Sequence, residues 1–225
     1  MAEKTKNDIK NIKGAIFDMD GTLLASMHEW RTVGVRYLQS QGIEPKQDIY
    51  EILHPMSLEE ACAYLHEEYG TTADYHLFLA KLNSLMDDFY KYEVKMKAGA
   101  EEILTSLKKR NVKMCIATAT DRALAEQCLK RLGIWQDFAA VFTCGEVGAA
   151  KTSPDIYRKA LAFLETDKVD TWVFEDALYA VETAAADGFN VVGLFDEDSD
   201  DDQEKIKALS DIYIKDYSEW GEYID

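Results

Sequence analysis

The sequence predicts an α/β fold: a parallel sheet covered by helices on both faces and interrupted by one all-helical insertion. Three observations carry this. Short apolar runs alternate with amphipathic helical patterns along most of the chain. Residues 23–94 break that rhythm and read as helices only. Polar residues of the kind that perform chemistry stand where apolar runs stop. Alternating strands and helices bury both faces of a parallel sheet. In such sheets, ligands bind outside the carboxyl ends of the strands.

The first strand is the run Ala15-Ile16-Phe17. The insertion then reads as helices at roughly Trp30–Gln41, Leu58–Tyr69 and Tyr75–Lys91. Ala100, Ile103, Leu104 and Leu107 fall at helical spacing before the run Val112–Ala117. Leu124, Ala125, Cys128, Leu129 and Leu132 form the next helix, with Asp121 as N-cap and Gly133 as its stop. After the run Ala139–Phe142, a helix begins with Ser153 at N-cap and Pro154 at the first helical position. It carries Tyr157, Ala160, Leu161 and Leu164. The run Thr171–Phe174 leads to a helix with Leu178, Val181, Ala184 and Ala185, closed by Gly188. The runs Val191–Leu194 and Ile212–Ile214 complete the sheet. Between them, the acidic segment 196–202 reads as a solvated loop entering a helix at Gln203–Leu209, with a second cation site as its alternative reading.

A chain of 225 residues accommodates one core domain plus an insertion, and 47% apolar residues suffice for a sizeable core. No apolar run approaches the ~20 residues that a membrane span needs. The segment Met1–Asp8 lacks the apolar centre of a signal peptide. Cys62, Cys115, Cys128 and Cys144 show no metal-like spacing, and Cys115 and Cys128 sit in apolar patterns as buried thiols. These features favour a reducing, cytoplasmic compartment. The net charge of −17 argues against nucleic acid and anionic membranes as partners.

The chemistry concentrates in four signals. Asp18-Met19-Asp20-Gly21-Thr22 follows the first strand and offers one carboxylate as nucleophile and a second as general acid or base. Thr118 ends the second apolar run. Lys151 precedes Thr152-Ser153-Pro154-Asp155, and Glu175-Asp176 ends the run at 171–174. Each signal has a plainer reading by itself. Asp-Gly is turn chemistry, Lys151 reads as a surface lysine and Thr118 as a strand-end threonine. Glu175-Asp176 favours a helix N-terminus. Their order, with three of the four at strand ends and Lys151 just before a helix, points to one site.

These residues resemble the haloacid dehalogenase-like hydrolase superfamily, in its branch of capped phosphatases and beta-phosphoglucomutase-like enzymes. The resemblance runs through Phe17–Leu23, Thr118, Lys151–Asp155 and Phe174–Ala177, and on to Ala184–Gly188 and Val191–Gly193. It implies a Rossmann-like core from residues 1–22 and 95–225, with a helical cap domain at 23–94 lying over the mouth of the site. It implies that Asp18 forms an aspartyl-phosphate while Asp20 moves the proton. Lys151 and Thr118 would then serve the transferring oxygens. A Mg2+ ion would be held by the Asp18 carboxylate, the Asp20 backbone carbonyl and Asp176, supported by Glu175. The expected partner is a small phosphorylated substrate, bound by a monomer.

Several positions depart from the branch's pattern. Ala25 replaces the customary acid in Leu24-Ala25-Ser26, and Thr152 replaces a common proline. The sugar-phosphate mutases of the branch carry a phosphate-gripping arginine in a cap loop, where this chain has Pro55-Met56-Ser57-Leu58. They also carry a histidine where Trp30 stands here, His28 being two residues early. Both departures favour transfer to water over transfer to a bound sugar. Trp30 either faces the pocket or packs the cap, and His54 is either a substrate contact or a surface residue. A phosphomutase is the alternative reading. A haloacid dehalogenase needs neither Asp20 nor the Glu175-Asp176 pair, a receiver-type signalling domain would lack the insertion, and a catalytically inert binding module would be expected to have lost a motif residue.

Overall fold

The structure, a computed structural model, describes residues 8–46, 48–53, 56, 58–197 and 202–224. His54, Pro55 and Ser57 of the cap loop, positions 198–201 of the acidic segment and the first seven residues lie outside the described residues. In chain order the elements are β1 (Gly14–Phe17), α1 (Met27–Gln39), α2 (Ile49–Leu53), α3 (Leu58–Tyr69), α4 (Tyr75–Asp88) and α5 (Ala100–Lys109). There follow β2 (Lys113–Thr118), α6 (Arg122–Arg131), β3 (Ala140–Thr143), α7 (Cys144–Val147), α8 (Asp155–Leu164) and β4 (Thr171–Glu175). The chain ends with α9 (Leu178–Ala186), β5 (Asn190–Leu194), α10 (Gln203–Leu209), β6 (Ile212–Ile214) and α11 (Gly221–Ile224). This is the α/β architecture expected, with the helical insertion between β1 and β2.

All six strands run parallel in the order β3-β2-β1-β4-β5-β6. The chain moves outward from β1 to β2 and β3, then returns to place β4 on the other side of β1. The strand order therefore reverses at β1, which opens a crevice at the carboxyl ends of β2, β1 and β4. Strands β1 and β4 are buried on both faces, as expected for a sheet covered on each side. Alternate residues serve opposite layers. Ile16, Cys115 and Val173 pack with Tyr157, Val181 and Ile206, which come from α8, α9 and α10. Phe17 turns the other way, stacks on Phe174 at 4.2 Å between centroids and meets Phe138 edge-on at 6.2 Å. Phe17→Ala is expected to cost about 3–5 kcal/mol, the scale for a fully buried aromatic. Urea unfolding measures it, and a cost under about 1 kcal/mol would show that this layer does not rely on Phe17.

Local chemistry explains the helix ends. Asp121 accepts from Ala123 N at 2.8 Å, the capping bond expected of it. Gly133 closes α6 with φ +76°, a conformation that side chains disfavour. The start of α8 differs from expectation. Ser153 donates its hydroxyl to the Asp155 carboxylate at 2.9 Å, Pro154 occupies the capping position, and the helix begins at Asp155.

The chain divides into two compact units, Met1–Ala25 with Lys95–Asp225, and Ser26–Val94. Among the described residues, every regular element of the second unit is a helix. Its last helix passes at Phe89–Glu93 into a wider π turn, closed by Val94 N donating to Phe89 O at 2.9 Å. Within it, Trp30 donates its indole N–H to the Tyr90 hydroxyl at 3.0 Å. Arg36 pairs with Glu29 at 2.9 Å, and the Arg31 guanidinium sits 5.0 Å from the centroid of the Tyr50 ring. Among the described residues, no helix is long and apolar enough to cross a membrane. Cys115 and Cys128 are buried as expected, and burial pushes the Cys128 thiol up to about 12.

Candidate active site

The site is built at the ends of three neighbouring strands. In β1, Phe17 pairs with Ile116 of β2 and Phe174 of β4. The residues that follow therefore emerge side by side. Asp18 continues the ladder by donating its backbone N–H to Phe174 O at 3.0 Å. Thr118 and Glu175 are the last residues of their strands.

After Asp18 the chain reverses sharply. Met19 O accepts from Leu23 N at 2.9 Å and Leu24 N at 2.8 Å, and Gly21 N donates to Leu24 O at 3.0 Å. Gly21 has φ +79°, and a Cβ there would overlap the Asp176 carboxylate. Glycine is thus required both by conformation and by close approach. Thr22 donates to Asp176 Oδ1 at 2.8 Å, tying the turn to the end of β4. Lys97 donates to Gly21 O, to Phe195 O at 2.8 Å and to Asp196 Oδ2 at 2.8 Å.

Lys151 enters from the loop before α8 and is almost completely buried. Its Nζ donates to Asp18 Oδ1 and to Glu175 Oε1, the latter at 2.6 Å. Tyr157, one turn into α8, donates to the same Glu175 oxygen at 2.8 Å. Burial alone would discharge the lysine, but Asp18 and Glu175 outweigh it and hold its pKa above the ordinary value. Burial raises the Asp18 carboxyl well above the usual range against the pull of Lys151, and Glu175, Asp176 and Asp20 add to the rise. Burial likewise pushes Asp176 up to about 7, opposed by Lys97 and reinforced by Glu175 and Asp196.

Asp18, Glu175 and Asp176 each bring a carboxylate oxygen within 4.8 Å of the others, and all three residues are buried. Fully ionised, three carboxylates against the Lys151 ammonium leave two negative charges uncompensated. Glu175 Oε2 is buried and has no hydrogen-bond partner among the described residues. An all-oxygen donor set, a deficit of two positive charges and an orphaned buried oxygen together fit a hard divalent cation. The Asp20 carboxylate is not among the three. It accepts from the Thr120 hydroxyl at 2.6 Å, while Thr120 N donates to Thr118 Oγ1 at 3.0 Å.

The structure thus brings all six residues singled out from sequence to one crevice. Lys151 stands between Asp18 and Glu175 rather than facing open solvent, and Thr118 and Asp20 meet through Thr120. Thr22, Lys97, Thr120 and Tyr157 also belong to the site, and the sequence reading gave none of them a role in it. Thr22 lies inside the first motif, and Thr120 lies two residues past Thr118 with nothing local to mark it. Lys97 and Tyr157 carried no signal either.

The family model for haloacid dehalogenase-like hydrolases matches residues 15–194. The chain is 29% identical over 209 residues to validoxylamine A 7'-phosphate phosphatase of Streptomyces hygroscopicus subsp. limoneus, covering 92% of this chain and 95% of that one. It is 26% identical over 200 residues to the beta-phosphoglucomutase of Bacillus subtilis, covering 81% and 83%. Among solved structures, a HAD hydrolase (family IA, variant 3) from Entamoeba histolytica superposes with a TM-score of 0.82 at 21% identity, covering 95% of this chain and 98% of that one.

Proposed function

The chain belongs to the haloacid dehalogenase-like hydrolases and is a phosphatase of that family; we propose that it releases inorganic phosphate from a small phosphorylated sugar or similar metabolite. The observation that carries this reading is the buried cluster of Asp18, Glu175 and Asp176 around Lys151 at the strand ends.

Asp18 attacks the phosphorus in line. The bond from Asp18 to phosphorus forms as the bond to the leaving oxygen breaks, and the Asp20 carboxyl gives that oxygen its proton. Water then attacks the aspartyl-phosphate, Asp20 takes the water's proton, and the bond from Asp18 to phosphorus breaks. Lys151 and Thr118 present a charge and a hydroxyl donor to the transferring oxygens. Asp18, Asp176 and the Asp20 backbone carbonyl, supported by Glu175, would hold a Mg2+ ion, which supplies positive charge against the repulsion between an anionic nucleophile and an anionic phosphate.

Hydrolysis is favoured over mutase chemistry by the helical unit. A mutase must retain a bisphosphorylated intermediate, which calls for a second cation. Leu58 stands where such enzymes carry arginine, Arg36 is committed to Glu29, and Arg31 lies against Tyr50. Incubation with a hexose 1-phosphate and a catalytic amount of the bisphosphate is therefore expected to give inorganic phosphate. The relationship to a beta-phosphoglucomutase makes the opposite outcome informative. Efficient formation of hexose 6-phosphate with little phosphate release would establish the mutase reading.

A further inference from the structure

The carboxylate assigned to proton transfer is held by a residue with no assigned role. Thr120 is buried, two positions beyond the end of β2. Its hydroxyl reaches Asp20 Oδ2 at 2.6 Å, and its backbone N–H donates to Thr118 Oγ1 at 3.0 Å. We propose that Thr120 is the positioning residue for proton transfer, holding Asp20 through its hydroxyl and orienting the Thr118 hydroxyl through its backbone. The proposal rests on the reading of Asp20 as general acid and base.

The chemistry of the hydroxyl suits that task. Asp20 must stand in one place in two protonation states, as acid when the leaving oxygen departs and as base when water attacks. An ionised carboxylate only accepts hydrogen bonds, whereas a protonated one also donates. A threonine hydroxyl can donate to the first and accept from the second, so the contact survives the proton's movement. Lysine or arginine, which can only donate, would favour the ionised form alone. The second bond has its own effect. Thr118 Oγ1 already accepts from Thr120 N, which leaves the Thr118 proton to be donated elsewhere. One residue therefore couples the proton-transfer group to a donor for the phosphoryl oxygens.

The test compares an alkyl phosphate with 4-nitrophenyl phosphate in Mg2+ buffer. An alkoxide leaves poorly without a proton, whereas 4-nitrophenolate leaves well unaided. The constant kcat/KM covers steps only through departure of the leaving group, so later hydrolysis of the aspartyl-phosphate does not enter it. Thr120→Val is expected to lower kcat/KM for the alkyl ester by about 10- to 100-fold, the range for a displaced acid group. The aryl ester should lose less than about threefold, which also reports that the variant is folded. Thr120→Ser should restore the alkyl value. Thr120→Ala repeats the comparison if the valine variant does not fold. Equal losses on both esters would overturn the proposal, since a merely structural role is blind to the leaving group. Asp20→Asn separates the two levels. If it too shows no preference between esters, the reading of Asp20 as acid fails and the role of Thr120 fails with it. If Asp20→Asn discriminates and Thr120→Val does not, only the present inference is lost.

Discussion

Asp18→Asn is expected to lower phosphate release by about 10⁴-fold or more, the scale on which removal of a nucleophile acts. The amide keeps the shape of the carboxylate but cannot form the aspartyl-phosphate. The fold should survive. Asp18 is nearly fully buried, and burial drives its carboxyl toward the neutral form. An uncharged side chain at that position relieves repulsion with Glu175 and Asp176, while Lys151 keeps its bond to Glu175. The melting temperature should therefore stay at or near that of the parent protein. Phosphate release at the parent rate by a properly folded Asp18→Asn variant would rule out covalent catalysis at this position.

The parts of this site visible in the sequence are those that sit on a strand end. Asp18, Thr118 and Glu175 each follow a run of apolar residues, and a parallel sheet carries all three runs to the same edge. Strand and helix order could be read for the same reason, because burial on both sides imposes a pattern on each segment. What escaped depends on contacts between distant segments. Thr22 finds Asp176 across 154 positions, Thr120 finds Asp20 across 100, and Lys97 reaches Asp196 across 99. No local periodicity encodes such pairs. The helices α2 and α7 are too short, at five and four residues, to show a helical repeat. In α4 the regular α-helix stops at Asp88 rather than Lys91, because Phe89–Glu93 continue it as a π turn. Lys151 shows a different limit. Its place in the order of motifs marked it for the site, but only the fold shows it wedged between two carboxylates.

Removal of divalent metal is expected to abolish activity, and Mg2+ should restore it. The cluster holds three buried carboxylates against one buried ammonium, and among the described residues Glu175 Oε2 has no hydrogen-bond partner. Without a cation, Asp176 resists ionisation, its pKa rising from 3.8 to about 7 through burial first, with Glu175 and Asp196 adding to the rise. A carboxyl harder to ionise in the folded state than in the unfolded one adds stability at low pH, and that stability is lost as pH rises through about 7. The metal-free protein should accordingly lose stability between about pH 4 and pH 7 on this account, and Asp176→Asn should flatten the loss. Mg2+ should oppose it, adding about 2.7 kcal/mol at a hundredfold excess over its Kd. Thermal unfolding with and without Mg2+ reads these shifts independently of turnover. Ca2+ should bind yet inhibit, because its larger and looser coordination sphere misplaces nucleophile and phosphate. Full activity in excess chelator, or a melting temperature indifferent to Mg2+ in the parent protein, would mean that Lys151 and protonated carboxyls together balance the cluster and that it is not a metal site.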